Sequence, residues 1–248
     1  MMDFFDCNCM VGRFGQPQPG QFWDAESLER ELERCGVRRA LVFHALAKEL
    51  DPATGNATLA QELAGRERLA PCWVAMPHHT GEMPPPEELC EAMAGQGVRA
   101  VRLFPQTHNY SLAQWCAGDL LAALERRRIP VFIDHDETNW EVVNSACEAH
   151  PELPLVLLRV NYRAHRFLYP LFARHRNLHV EIGLFVAHDA LADCAQRHGA
   201  ERMLFGSALP HFTPGGPMAN IAYAAISDRE ETLIAGGNLR RLLGEEAR

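Results

Sequence analysis

A histidine lies among acidic residues in the segment Asp134-His135-Asp136-Glu137, directly after a short apolar run. A neighbouring carboxylate can hold a histidine in one tautomer and let it act as a general base. The same side chains are also ligands for a divalent metal ion. A non-functional interpretation of this segment is a solvated loop in which Asp136 or Thr138 caps the next helix. We predict that Asp134 and His135 transfer protons.

Three charged residues interrupt apolar runs elsewhere in the chain, namely Arg102, Arg159 and Glu181. A buried arginine must be paired, and an arginine that faces a cavity can bind a carboxylate or another anion. A structural pair with Glu181 or Asp134 would satisfy either arginine equally well. We predict that Arg102 and Arg159 bind an anionic substrate and that Glu181 is a catalytic carboxylate.

Further polar residues lie where apolar runs end, and we predict that they orient the substrate: Asn8, His44, Asn161 and His211. For His44, a core histidine with satisfied hydrogen bonds is the alternative. Lys48 is the single lysine of the chain, and a Schiff base requires a lysine amine. We expect Lys48 in a loop after the second strand and Arg159 at the sixth, which disfavours class I aldolase chemistry.

Eight short apolar runs alternate with amphipathic stretches. Runs rich in Val, Leu, Ile and Phe are typical of buried parallel strands, and their alternation with helices implies right-handed βα units. Eight such units favour a closed barrel. We predict one (β/α)8 TIM-barrel domain over residues 1–248, with strands at residues 3–8, 40–43, 70–75, 100–104, 130–134, 155–158, 179–182 and 203–205.

The barrel would bring the polar residues named above into one place. Catalytic groups of (β/α)8 barrels lie at the carboxyl ends of the strands and in the loops that follow.

No GxGxxG or GxxxxGK[ST] motif is present, so the sequence signatures of nucleotide-binding folds are missing. The eight cysteines include no CxxC pair. Cys7 and Cys9 are two apart, so we expect buried thiols on one face of the first strand.

The composition is that of a soluble protein, with 47% hydrophobic residues, 23% charged residues and a net charge of -8. The acidic balance argues against nucleic acid and against an anionic membrane as partners. No apolar run reaches the ~18 residues of a membrane span, and no basic segment opens a signal peptide. We therefore expect a cytoplasmic protein whose partner is a small anionic substrate, with a homo-oligomer as an open alternative.

Five segments, in chain order, are similar to known motifs: residues 5–12 (FDCNCMVG, for I-D-x-H-x-H-x-G), 55–59 (G-N-x-x-L), 97–103 (GVRAVRL, for G-x-x-G-[VI]-[KR]-L), 204–210 (LFGSALP, for L-F-G-S-D-x-P) and 237–243 (GNLRRLL, for G-N-A-x-R-L-[LF]). Together they resemble the amidohydrolase-related family of metal-dependent TIM-barrel hydrolases. The resemblance implies a barrel fold and, at the family level, hydrolysis at a bound metal such as zinc.

The chain departs from this family pattern at positions to which the resemblance assigns the metal chemistry. Asn8 and Met10 stand in place of the first two ligand histidines, Ala208 in place of the strand-eight aspartate, and Arg159 or Asn161 near the strand-six histidine. Catalytic zinc needs about three protein ligands and a bound water. We therefore expect no cofactor; if a metal binds, its expected ligands are Asp134, His135, Glu181 and His211.

Three hypotheses about function follow from these observations. The first is a metal-independent hydrolase, decarboxylase or other lyase that acts on a small carboxylated substrate. The second is a metal-dependent hydrolase with a rebuilt site. The third is a non-catalytic binding or regulatory relative that has lost activity.

Overall fold

The apolar runs of the sequence form parallel strands, as expected for strands with covered faces. The computed structural model describes residues 2–16 and 18–245. In this part of the chain every strand pairing is parallel. The strands are β1 (Phe5–Val11), β2 (Arg39–His44), β3 (Leu69–Pro71), β4 (Trp73–Ala75), β5 (Val101–Leu103), β6 (Val131–Asp134), β7 (Leu155–Leu158), β8 (Leu178–Glu181) and β9 (Met203–Leu204).

Helices connect these strands, and several begin at capping side chains. Asp24 accepts a hydrogen bond from the Ser27 amide at the start of α1, and Asp51 accepts one from the Thr54 amide at the start of α3. The helices are α1 (Ala25–Cys35), α2 (Ala45–Glu49), α3 (Pro52–Glu62), α4 (Pro86–Gly95), α5 (Gln114–Arg126), α6 (Trp140–Ala149), α7 (His165–Arg174), α8 (Ala190–His198), α9 (Gly215–Tyr223), α10 (Asp228–Thr232) and α11 (Asn238–Leu242). None of the helices in the described residues is long and apolar enough to cross a membrane.

Hydrogen bonds join the strands into a closed barrel. β3 and β4 are two halves of one barrel strand, interrupted at Cys72, whose amide donates to the Val42 carbonyl at 2.8 Å. The barrel closes where the Cys7 amide of β1 donates to the Phe205 carbonyl just after β9, at 3.0 Å. The prediction of a (β/α)8 barrel is therefore confirmed, and each of the eight predicted strands is present.

Side chains alternate between the barrel interior and the layer of helices, as the period of two along a strand requires. Phe132 and Val156 pack inside the barrel with Phe5 and Phe43, whereas Ile133 and its neighbours pack against the helices. By the same alternation, Arg102 in β5, Asp134 in β6 and Glu181 in β8 point into the barrel. These charged residues lie toward the carboxyl ends of their strands.

A β-bulge in β1 changes the direction in which its residues point. The register of β1 against β2 shifts between Asp6 and Cys9, and an extra residue of this kind reverses the alternation. Cys7 consequently packs inside the barrel and Cys9 packs against the helices. The expectation that both thiols share one face was wrong for this reason. Both are buried and free.

Two segments that resemble family motifs have structural roles. In residues 55–59, a side chain at Gly55 would clash with the backbone of Ala47. Asn56 replaces a strand partner for Val74, since its amide nitrogen donates to the Val74 carbonyl at 2.8 Å and its oxygen accepts the Val74 amide at 2.9 Å. In residues 237–243, Asn238 donates to the carbonyls of Ala200 and Met203.

We expect Asn56→Ala to lower the free energy of unfolding by about 2–4 kcal/mol, because it leaves two buried backbone groups of Val74 unpaired. Urea unfolding followed by circular dichroism measures the change. Gln61→Ala, at an exposed position of the same helix α3, is the matched control and should change stability by less than about 0.5 kcal/mol. Equal losses in the two variants would contradict the assigned role of Asn56.

Candidate functional site

The carboxyl ends of the strands enclose a cavity of about 290 Å³. Its walls combine aromatic and aliphatic side chains with a small set of charged ones. The lining residues include Asn8, Met10, Phe14, Phe43, Lys48, Arg102, Asp134, Arg159, Ala208, Leu209, His211 and Phe212. A larger, more open groove of about 880 Å³ lies at the opposite end of the barrel. We assign the site to the smaller cavity because barrels carry their reactive groups at the carboxyl ends of the strands.

The buried guanidinium of Arg102 forms part of this cavity's floor. It donates to Asn8 Oδ1 at 2.8 Å and to Asp134 Oδ1 at 2.7 Å. Its carbon lies 4.3 Å from the ring centroid of Phe43 and 5.2 Å from that of Phe104. The side chain is only 6% exposed. Two hydrogen bonds and two aromatic rings thus hold a buried cation in one orientation.

Asp134 is the ionised partner of this cation. Burial would raise the pKa of its carboxyl, but the charge and the hydrogen bond of Arg102 outweigh burial and lower the pKa below its ordinary value of 3.8. A carboxylate in this state accepts hydrogen bonds and does not hold a proton near neutral pH. Its first role is therefore to orient Arg102.

Two more cations line the cavity. Lys48 Nζ lies 4.7 Å from the Phe104 ring centroid and 3.5 Å from Glu137 Oε1. Arg159 follows β7, and its Nη1 lies 3.9 Å from Oδ2 of the exposed Asp136. With Arg102, three cationic side chains face the cavity, and Asp134 is the one carboxylate among the described lining residues. The balance of charge therefore favours an anionic ligand.

Glu181 lies in an adjoining cavity of about 180 Å³, which also has Arg159 and Ala208 in its walls. Its two carboxylate oxygens accept the amides of Arg159 and Gly183, each at 2.8 Å. Burial raises the pKa of Glu181 to about 7, and the charge of Asp6 adds to the effect. A side chain at Gly183 or Gly206 would clash with Glu181. The backbone thus leaves room for a carboxyl group that titrates near neutral pH.

Asp6 connects the first and last strands of the barrel. Its Oδ1 accepts the amides of Asn8 at 2.9 Å and Ser207 at 3.1 Å. Burial raises the pKa of its carboxyl to about 6 despite these hydrogen bonds. Asp6 therefore fixes the backbone that presents Asn8 to the cavity.

The cavity brings together most of the residues predicted from the sequence, including His211. The ring of His211 packs against Phe14, and its Nδ1 lies 3.1 Å from the side-chain nitrogen of Gln21. Burial lowers the pKa of His211, and the nearby cations, Arg159 foremost, lower it further. This histidine is therefore neutral at neutral pH.

Three other predicted residues lie outside the cavity-lining set in the described part of the chain. His44 caps α2 by accepting the Leu46 amide at 3.0 Å, which matches the alternative of a satisfied core histidine. The ring of His135 packs 4.9 Å from that of Trp140. Asn161 accepts the amide of Arg163. These side chains thus make local contacts in the segments that follow β2, β6 and β7.

Two non-glycine residues that line both cavities have left-handed backbone conformations. Arg159 and Ala208 each have a φ of 58°. For residues with a Cβ atom, this conformation costs on the order of 1 kcal/mol and is concentrated at functional sites. Both conformations occur in the segments after β7 and β9, where these two residues reach the barrel mouth.

The expectation that Lys48 lies in a loop was wrong. Lys48 lies in the short helix α2, four residues after His44, so one helical turn returns its side chain to the strand end. The rings of Phe43 and Phe104 were also missed as partners of Arg102. Their positions beside the polar strand ends were the available signal.

A model of the amidohydrolase family matches residues 36–244, most of the chain. The chain belongs to the amidohydrolase family. The resemblance found in the sequence motifs is thereby confirmed. No curated protein sequence matches the chain.

Solved structures similar to this amidohydrolase-family chain cover essentially its whole length. An uncharacterised TIM-barrel protein from Bordetella bronchiseptica is 18% identical, with 100% of each chain covered and a TM-score of 0.77. A 2,6-dihydroxybenzoate decarboxylase from Rhizobium is 14% identical, with 100% of each chain covered and a TM-score of 0.77. A dihydroxybenzoic acid decarboxylase from Polaromonas sp. JS666, with bound manganese and 2-nitroresorcinol, is 14% identical. The match covers 100% of this chain and 98% of the decarboxylase chain, with a TM-score of 0.72. At these identities the similarity shows the fold.

The candidate ligands for a divalent metal are spread over several parts of the site. The guanidinium of Arg102 occupies the space between Asn8 and Asp134, and it would repel a second cation placed there. Asn8 and Met10 supply no imidazole. Of the alternative ligands, Asp134 and His211 line one cavity and Glu181 the other, while His135 packs on Trp140. Among residues 2–16 and 18–245, no three His, Cys, Asp or Glu side chains form a group that could hold a metal.

Glu181 should make the folded chain more stable at acidic pH. Its pKa is about 7 in the folded state and near 4.5 when unfolded, so the folded state holds the proton more tightly between these values. We expect the difference in unfolding free energy, wild type minus Glu181→Gln, to increase by about 1–3 kcal/mol from pH ~8 to pH ~5. Urea unfolding at each pH measures it.

Protonation of the buried histidines lowers the unfolding free energy in the same pH range. This effect is common to both proteins and cancels in the difference. Glu88→Gln, at an exposed position of α4, is the control for the substitution itself. A difference for Glu181→Gln that stays constant, or that decreases toward acid, would contradict a raised pKa.

Proposed function

We propose that the chain binds a small carboxylate in the barrel mouth and acts on it as a hydrolase or decarboxylase, without the metal centre of its family. The observation that carries the proposal is the Arg102 guanidinium, fixed by Asn8 and Asp134 at the cavity floor. A guanidinium held in one orientation is suited to a carboxylate, because its planar donors match the two carboxylate oxygens.

Size and lining support a ligand of about the size of a substituted benzoate or a short oxo acid. The cavity of about 290 Å³ opens beside the one of about 180 Å³, which together are at the lower end of small-molecule sites. Phe14, Phe43 and Phe212 provide flat apolar walls. Relatives in fold act on such molecules, since one solved structure is a decarboxylase in complex with 2,6-dihydroxybenzoate.

Glu181 is the proton-transfer group in this proposal. Its pKa of about 7 allows it both to donate and to accept a proton near neutral pH. It is close to the anion site because Arg159 and Ala208 line both cavities. Asp134, held ionised by Arg102, orients the cation instead, and His135 packs on Trp140 away from the lining residues.

We expect 2,6-dihydroxybenzoate and related aromatic carboxylates to raise the melting temperature, with resorcinol, which lacks the carboxylate, giving a much smaller effect. Arg102→Lys should weaken carboxylate binding about 10- to 100-fold, because an ammonium cannot hold Asn8, Asp134 and the ligand together. Isothermal titration calorimetry measures the affinities.

Arg176→Lys is the matched control, because Arg176 lines the groove at the opposite end of the barrel. It should bind the carboxylates as tightly as the wild type. Equal binding by the Arg102→Lys and wild-type proteins would refute the assigned anion site. A ligand that binds through Arg102 but undergoes no decarboxylation or hydrolysis would favour the non-catalytic relative.

We expect binding of the carboxylate, and any turnover, to survive dialysis against a chelator, because Arg102 supplies the charge in this site. Elemental analysis of the dialysed protein establishes that manganese, zinc and iron are gone. Restoration of lost activity by added manganese or zinc would contradict the proposal and support a rebuilt metal site.

A further inference from the structure

The single lysine of the chain faces the cavity in which the carboxylate is proposed to bind. Its side chain is 19% exposed, so it is accessible and largely enclosed. Lys48 Nζ and the Arg102 guanidinium carbon lie 4.7 and 5.2 Å from the centroid of the same Phe104 ring. A primary amine and an anion-binding group therefore converge within one small cavity.

A fixed carboxylate lies beside this amine. Glu137 Oε1 is 3.5 Å from Lys48 Nζ. The Glu137 side chain is held by the amides of Gln106 and Thr107, each at 2.9 Å, and by the Thr107 hydroxyl at 2.6 Å. It is 7% exposed. Glu137 is thus positioned to take a proton from the amine and to return it.

We propose that Lys48 forms an imine with the carbonyl carbon of a small oxo acid, whose carboxylate is held by Arg102 and Arg159. The inference rests on the proposed function for its carboxylate subsite, and it names the substrate class as oxo acids. The imine also gives the Lys48 amine a role that differs from anion binding, for which the cavity already has the guanidinium groups of Arg102 and Arg159.

The imine forms with water as the leaving group. Lys48 Nζ gives one proton to Glu137, and its lone pair attacks the carbonyl carbon. A proton moves from nitrogen to the former carbonyl oxygen, and Glu137 returns its proton to the same oxygen. The C–O bond then breaks, water leaves, and a C=N bond with one proton on nitrogen remains. Both protons lost by the ammonium are in the water, so atoms and charge balance.

A protonated imine accepts the electron pair of the C–C bond that joins the next carbon to a carboxylate, so that bond breaks, carbon dioxide leaves and a neutral enamine remains. The reaction class is therefore a lyase step on an oxo acid. This chemistry needs an amine and a held carboxylate, both of which line the cavity.

Reductive trapping tests the inference on the full chain. We expect pyruvate or 2-oxoglutarate with cyanoborohydride to add one reduced imine per chain, located by peptide mapping at Lys48 and absent in Lys48→Arg. Acetone, a carbonyl compound without a carboxylate, should label Lys48 at least about ten-fold more slowly, because it lacks the charged contacts. Circular dichroism establishes that Lys48→Arg is folded.

The matched control is Arg30→Lys in the Lys48→Arg background. Position 30 is exposed and lies beside Glu26, so the new amine also has a carboxylate neighbour. It should be labelled by oxo acids no faster than by acetone. Equal labelling of this amine and of Lys48 would overturn the inference.

The outcomes separate this inference from the function on which it rests. Oxo acids that bind in an Arg102-dependent way but leave Lys48 unmodified would overturn the imine and leave the carboxylate site standing. Oxo acids and aromatic carboxylates that neither bind nor react would refute both proposals.

Discussion

The arrangement of the barrel mouth depends on one buried cation. Arg102 would be costly to bury alone, and its burial is compensated by Asp134, by Asn8 and by the rings of Phe43 and Phe104. These partners come from β1, β2, β6 and the segment after β5, so the arginine connects most of one half of the barrel. Removal of Asp134, the charged partner, would leave an unpaired cation in the interior.

The other half of the mouth is organised around two carboxyl groups rather than a cation. Asp6 joins the backbone of β1 at Asn8 to the segment after β9 at Ser207, and Glu181 accepts amides after β7 and β8. Burial raises both pKa values, to about 6 and about 7. The site thus joins a fixed positive region to a group that can exchange protons near neutral pH, which is the separation of roles that acid–base chemistry requires.

The fold could be predicted from the sequence because a period of two within apolar runs and the repeat of βα units are local properties. The polar residues at strand ends were also readable, and Arg102, Asp134 and Arg159 lie together. The features that could not be predicted from the sequence depend on local backbone geometry. The bulge in β1 separates Cys7 from Cys9, and the single turn of α2 brings Lys48 back to the cavity. His44 caps helix α2, a role that its position at the end of a strand does not predict.

The most direct test of the carboxylate site is a crystal structure of the chain with 2,6-dihydroxybenzoate, grown after removal of metals and then soaked in manganese. We expect a carboxylate oxygen about 3 Å from the guanidinium of Arg102 or Arg159, with Arg102 still hydrogen-bonded to Asn8 and Asp134. Anomalous density for manganese between Asp134 and Glu181, with Arg102 displaced from the cavity floor, would contradict it.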